Sequence, residues 1–113
     1  MTNTDPAMLN DIAAALAELG HPTRLAIFRR LVQAGERGLP VGLLGEAFEI
    51  APSTLSHHLK GLIACGLIEQ IREGRTLWCR PRFARMHAVI GFLTEQCCQR
   101  PAVDGPACVP CIE

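Results

Sequence analysis

Between Pro52 and Arg80 the chain has few ways to fold. A short helix with one apolar and one polar face gives way, at Cys65-Gly66, to two brief strands joined by Glu73-Gly74-Arg75. Helical periodicity puts Leu55, Leu59, Leu62 and Ile63 on one side and Ser53, Thr54, His57, Lys60 and Gly61 on the other. Leu67 to Arg72 and Thr76 to Arg80 then read as a hairpin, with a glycine where a tight turn needs one. The polar face holds small hydroxyls, an imidazole and an ammonium, and no carboxylate occurs from Ala51 to Ile68. A merely solvated helix mixes its charges, whereas a face of this kind suits approach to phosphates and base edges.

A polar-faced helix running into a hairpin is the pattern of a winged helix-turn-helix: mainly α, with a small β-hairpin wing. The rest of the chain agrees. After a lead-in from Met1 to Pro6, Leu9, Ile12, Leu16 and Leu19 recur at intervals of three and four in an Ala-rich helix ended by Gly20. Pro22 opens a second helix to about Ala34, expected to turn Leu25, Phe28, Leu31 and Val32 inward, with Gly35 as its cap. Leu39-Pro40 leads into a short third helix bearing Leu43, Leu44, Ala47 and Phe48, the one that crosses the DNA backbone in such folds. From about Arg82 a last helix repeats Phe83, Met86, Ile90, Leu93 and Cys97 at the same spacings.

At 113 residues the chain reads as one domain, 1–113, small enough for dimerisation to help it bury its apolar surface. Neither a leader peptide nor a membrane-length apolar run is apparent, so the expected setting is cytoplasmic, with no membrane partner. Formal net charge is zero, yet the charges segregate: residues 52–85 hold Lys60, Arg72, Arg75, Arg80, Arg82 and Arg85 against Glu69 and Glu73, a net +4, and each flank carries −2. A local basic surface on a neutral protein binds DNA with little non-specific adhesion.

The order Ser53-x-x-Ser56-x-His58-Leu59-x-x-Leu62, Gly66-Leu67-Ile68, Arg72-Glu73-Gly74-Arg75, with His21-Pro22-Thr23-Arg24-Leu25 upstream, resembles the ArsR/SmtB family of metal-responsive repressors. The resemblance covers about three quarters of the chain, from about residue 12 to 95. It implies a homodimer closed by the N- and C-terminal helices and bound to double-stranded operator DNA. It further implies that Ser53, Thr54, Ser56, His57 and Lys60 meet bases and phosphates, while Arg75 on the wing reaches the backbone or minor groove. His58 is expected to pack or support the backbone. Many arsenic-responsive members carry a cysteine pair in the third helix, and Val41 to Phe48 has none. Zinc-sensing members carry several donors along the last helix, where this chain has His87 and Glu95, too few for a zinc site.

Six cysteines in a chain without a leader point to reduced thiols used for metal or redox chemistry. Cys65 and Cys79 read as small core fillers. Cys97 and Cys98 are adjacent near the expected end of the last helix, and Cys108 and Cys111 lie on a Pro-rich arm, about 99–113, expected to be flexible. Soft thiolates select thiophilic ions. As(III) or Sb(III) would take Cys97, Cys98 and one of Cys108 or Cys111; Zn, Cd or Pb would use all four. The reading is a metalloid-responsive repressor and not an enzyme. A redox-responsive repressor is the same-fold alternative. A thiol oxidoreductase using Cys108 and Cys111 is a distant one, because such pairs normally sit at a helix start beside a βαβ unit.

Overall fold

The computed structural model describes residues 5–95. Within them the elements run α1 (Pro6–Leu19), α2 (Pro22–Ala34), β1 (Leu39–Pro40), α3 (Val41–Phe48), α4 (Pro52–Ala64), β2 (Ile68–Glu73), β3 (Thr76–Pro81) and α5 (Phe83–Thr94). Helix starts follow local chemistry. The Asp5 carboxylate accepts from the Met8 N–H ahead of α1, and His21 Nδ1 accepts from the Thr23 N–H at 3.2 Å ahead of α2. Pro6, Pro22 and Pro52 each sit in a first turn, where a missing N–H costs nothing. Glu49 closes α3 in the left-handed region at φ 53°, and Ile50 and Ala51 complete the turn into α4.

The hairpin forms as expected, shifted slightly in extent. β2 and β3 pair antiparallel from Ile68 opposite Pro81 to Glu73 opposite Thr76. Glu73 therefore belongs to the ladder and the loop is Gly74-Arg75 alone, with Gly74 at φ 65° as the first residue of a two-residue hairpin turn. The sheet has a third strand that the sequence did not announce. β1 lies on the other edge of β3, with Leu39 opposite Cys79 and Pro40 opposite Trp78. Gly38 makes this approach possible: its φ is 75°, and a Cβ there would overlap the Cys79 carbonyl.

The core gathers beneath the sheet between α1, α2 and α4, around fully buried Ile27, Leu31, Leu44, Leu55, Leu59 and Leu62. Several expected inward positions differ. On α2, Ile27 is buried and Leu25 is 42% exposed. On α4 the packed face includes His58, and Ile63 lies outward, exposed on the surface. Under the terminal helices Ile12, Ala15 and Val89 are buried, while Leu9, Leu16, Ile90 and Leu93 of the two seams expected to meet a second copy stay exposed. Leu16, Leu25, Ile90 and Leu93 line one groove of about 400 Å³ between α1, α2 and α5. α5 spans Phe83–Thr94, with Glu95 out of helical geometry. Cys97, Cys98, Cys108, Cys111 and the arm about 99–113 lie outside the described residues.

Candidate nucleic-acid interface

α3, the Glu49–Ala51 turn and α4 form a helix-turn-helix, and the β2–β3 hairpin stands beside α4 as its wing. Packing on α4 is settled by Leu55, His58, Leu59 and Leu62, all buried. That fixes the opposite face outward, and Ser53, Thr54, Ser56, His57 and Lys60 are all exposed on it. No side chain caps the start of α4, so the Ser53 and Thr54 N–H groups, at the positive end of the helix dipole, are available to an anion. Ser56 also borders a groove of about 410 Å³ between α3, α4 and the wing, walled by Val41, Ile50, Leu55, Leu59 and Leu77. Arg75 sits exposed in the hairpin loop.

The six cations of the basic segment do not all serve one surface. Arg80 is held at 2.9 Å by Glu73 across the wing, and Arg85 pairs with Asp11 of α1 at 3.1 Å, so both are spent on internal ties. Lys60, Arg72, Arg75 and Arg82 are exposed and make no ion pair among the described residues. Lys60 on α4 and Arg72 and Arg75 on the hairpin are thus left for an external partner, fewer cations than the charge count alone implies. Arg37 stacks over the Trp78 ring, 4.5 Å from its centroid, on the sheet face away from Cys79.

His58 is the residue whose role the sequence only sketched. It is buried, and its Nδ1 accepts from Arg24 Nε at 3.1 Å, while Arg24 also pairs with Glu18 of α1. Burial first, then His21, Arg24 and His57, hold its pKa below the ordinary histidine value. Arg24 was legible only as part of a helix-start motif. Nothing in its spacing from His58, 34 residues along, signals the contact. His87 is exposed.

Among the described residues, no group of three or more His, Cys, Asp or Glu side chains comes together as metal ligands. Cys65 is half-buried, its Sγ donating to the Leu62 carbonyl, and Cys79 is fully buried with Gln70 Nε2 donating to its Sγ at 3.6 Å. Burial pushes both thiols above their usual range, which suits inert core cysteines. No described helix is long and apolar enough to cross a membrane.

An exposed, carboxylate-free recognition helix beside a basic wing defines a winged-helix DNA-binding protein. The helix-turn-helix domain family matches residues 19–71. A crystal structure of an ArsR family transcriptional regulator is 32% identical, with 85% of this chain and 92% of that one covered and a TM-score of 0.63. The transcriptional repressor BigR from Xylella fastidiosa is 30% identical over 84% of this chain and 97% of its own, at a TM-score of 0.61. The homodimeric winged helix-turn-helix DNA-binding domain of a possible ArsR-family regulator from Mycobacterium bovis is 28% identical, covering 85% and 89%, at 0.64. No curated protein sequence matches significantly. The chain belongs to the ArsR family of transcriptional regulators, DNA-binding proteins and not enzymes.

Proposed function

We propose that the protein is a homodimeric repressor that reads two operator half-sites with its α4 helices and wings, and is released when As(III) or Sb(III) binds its C-terminal cysteines. The observation that carries the DNA-binding half is the outward face of α4. Ser53, Thr54, Ser56, His57 and Lys60 stand exposed there without a neighbouring carboxylate on the helix, and Arg75 is exposed in the hairpin loop of the wing. Lys60 and Arg75 suit phosphates; the hydroxyls and His57 suit base edges. Dimerisation is supported by the apolar groove between α1, α2 and α5, whose rim residues Leu16, Ile90 and Leu93 are 39%, 49% and 59% exposed. A second copy offering the same two helices would cover it, as befits a family with a homodimeric member.

The sensing half is supported by where the thiols are. Cys65 and Cys79 are taken into the body and hard to ionise, and α3 holds none. That leaves Cys97, Cys98, Cys108 and Cys111 as donors, with Cys97 three positions beyond the last residue of α5. Three thiolates in a pyramid satisfy trivalent arsenic or antimony; four would suit Zn, Cd or Pb. For release, the ion must favour the DNA-incompetent form, and a coupling of about 1–3 kcal/mol is typical. The position of the cysteines beyond α5 makes the dimer seam the element such binding would bias.

The test is to form the complex with duplex DNA and titrate it with arsenite, antimonite, cadmium, zinc, lead and peroxide in turn. Release by arsenite and antimonite at the lowest concentrations is the expected result. Release by peroxide alone would assign a redox sensor, and release by none would end the sensing proposal while leaving the DNA-binding one standing.

A further inference from the structure

Two arginines hold the recognition helix from behind. At its C-terminal end, Arg85 of α5 donates from Nε to the Cys65 carbonyl at 3.1 Å while its guanidinium pairs with Asp11 of α1. In its middle, Arg24 of α2 donates from Nε to His58 Nδ1 at 3.1 Å and pairs with Glu18 of α1. Gly61, one turn beyond His58, completes the second arrangement. A Cβ there would overlap the Glu18 carboxylate, so the bare position is what lets that carboxylate lie against α4. The Arg24–Glu18 pair is part-buried, unlike Arg85–Asp11, whose carboxylate is exposed; such a pair is a weak source of stability compared with apolar packing and can instead specify one geometry.

We propose that Arg24 is a positioning residue for DNA recognition: bridging Glu18 on α1 and His58 on α4, it fixes the rotation of the recognition helix relative to α1. That rotation sets the direction in which Ser53, His57 and Lys60 face. The proposal rests on the reading of α4 as the helix that meets DNA. Arg24 itself is part-buried, its side chain 17% exposed, and its polar partners are Glu18 and His58. A guanidinium can only donate, so the bridge requires His58 to be unprotonated at Nδ1, with its ring proton on Nε2. The titratable groups facing that ring are His21, with centroids 4.8 Å apart, Arg24, and His57 at 6.1 Å; Glu18 is reached through Arg24. A proton added at Nδ1 would set N–H against N–H and sever the bridge at its α4 end.

The experiment uses the full chain and two probes: the duplex that the wild-type protein enriches from a random-sequence library, and a duplex of unrelated sequence. Circular dichroism and thermal melting follow folding. Arg24→Gln should lose at least about tenfold in affinity for the enriched duplex, the scale of a severed charge-assisted hydrogen bond. Its affinity for the unrelated duplex and its salt slope should stay as in the wild type. His58→Asn places Oδ1 where Nδ1 stands and accepts from the same guanidinium. It should keep affinity for the enriched duplex near that of the wild type at about pH 7.5 and show a shallower fall as pH is lowered from 6.5 through the depressed value of His58. His58→Leu, which cannot accept, should behave as Arg24→Gln, and this pair decides the matter if Arg24→Gln does not fold.

Equal losses on both duplexes would mean that Arg24 acts through stability, and a salt slope reduced by about one unit would mean that it contacts phosphate itself. Either overturns the proposal, as do equal affinities for His58→Asn and His58→Leu, or identical pH profiles for His58→Asn and the wild type. A wild type that enriches no duplex sinks the reading of α4 and the proposal with it. Enrichment by the wild type, together with undiminished affinity in Arg24→Gln, sinks the proposal alone.

Discussion

His58 and Lys60 stand two positions apart on one helix and answer to different solvents. His58 is buried with its pKa depressed, first by burial and then by His21, Arg24 and His57, so folding favours its neutral form. As pH falls below the ordinary value of 6.5, the unfolded chain takes up the proton first. The stability that His58 contributes is therefore complete above that value and is lost as pH drops from it through the depressed one. Thermal melts of the wild type should move down across this window, and His58→Asn should move less; parallel curves would show that His58 is not the group responsible. Lys60 is exposed, and its expected contribution is one released counterion. Lys60→Ala should weaken binding to every duplex and reduce the slope of log affinity against log salt by about one unit. His57→Ala should instead change the ranking among duplex sequences, because an imidazole at a base edge reads identity while an ammonium on phosphate does not. Equal loss on all sequences would remove His57 from base reading.

At the scale of elements, the helices and the hairpin were legible and β1 was not. α4 and the wing announce themselves through period, polarity and a glycine turn, signals that survive in any context. β1 is two residues long, too short for alternation, and exists because Gly38 lets the chain pass against β3. Gly38→Ala puts a Cβ into the Cys79 carbonyl at a φ of 75°, and should cost at least about 2 kcal/mol, read as a lowered denaturation midpoint. A loss below half of that would mean that β1 simply lifts off. Which apolar residues face inward was legible only in part, for a related reason: period locates an apolar stripe but not which edge of it a neighbour covers. Leu25 and Ile63 fall on the open edge, and His58 fits the packed one because Arg24 supplies its partner. The groove that Leu25 lines with Leu16 and Ile90 carries the prediction for assembly. Leu16→Glu with Ile90→Glu alters residues 39% and 49% exposed in the single chain, so the fold should survive while the dimer does not. Sedimentation should find monomers of melting behaviour close to that of a wild type diluted below its dimer dissociation constant, with operator affinity largely lost. A double variant that still sediments as a dimer would move the interface elsewhere.

For the whole molecule, the proposed sensing poses the question of how an ion bound beyond α5 would be felt by α4, in the middle of the chain. The winged-helix body holds two thiols, both pushed towards the protonated form, so neither is a ready ligand. The proposed donors lie just beyond α5, and α5 is tied by Arg85 both to α1 and to the C-terminal end of α4. A change in α5 therefore has a short covalent and hydrogen-bonded route to the recognition helix, without any ion near the DNA. Cys97 and Cys98 come three and four positions after Thr94 in the sequence, so in the proposed site losing either would remove one of the two donors nearest α5 along the chain and raise the ordering entropy the others must overcome. Cys108 and Cys111 are three positions apart, and closing the two loops differs by a few tenths of a kcal/mol at most, because closure entropy grows slowly with length. Arsenite titrations of preformed duplex complexes should then show Cys97→Ser and Cys98→Ser unresponsive at wild-type doses. Cys108→Ser and Cys111→Ser should each be partly responsive, and the double variant of the latter pair unresponsive. Cys65→Ser and Cys79→Ser should release normally wherever they fold. If Cys65→Ser abolishes release while Cys97→Ser and Cys98→Ser do not, the sensor lies within the winged-helix body, and Arg85, which holds the Cys65 carbonyl, becomes the first residue to change.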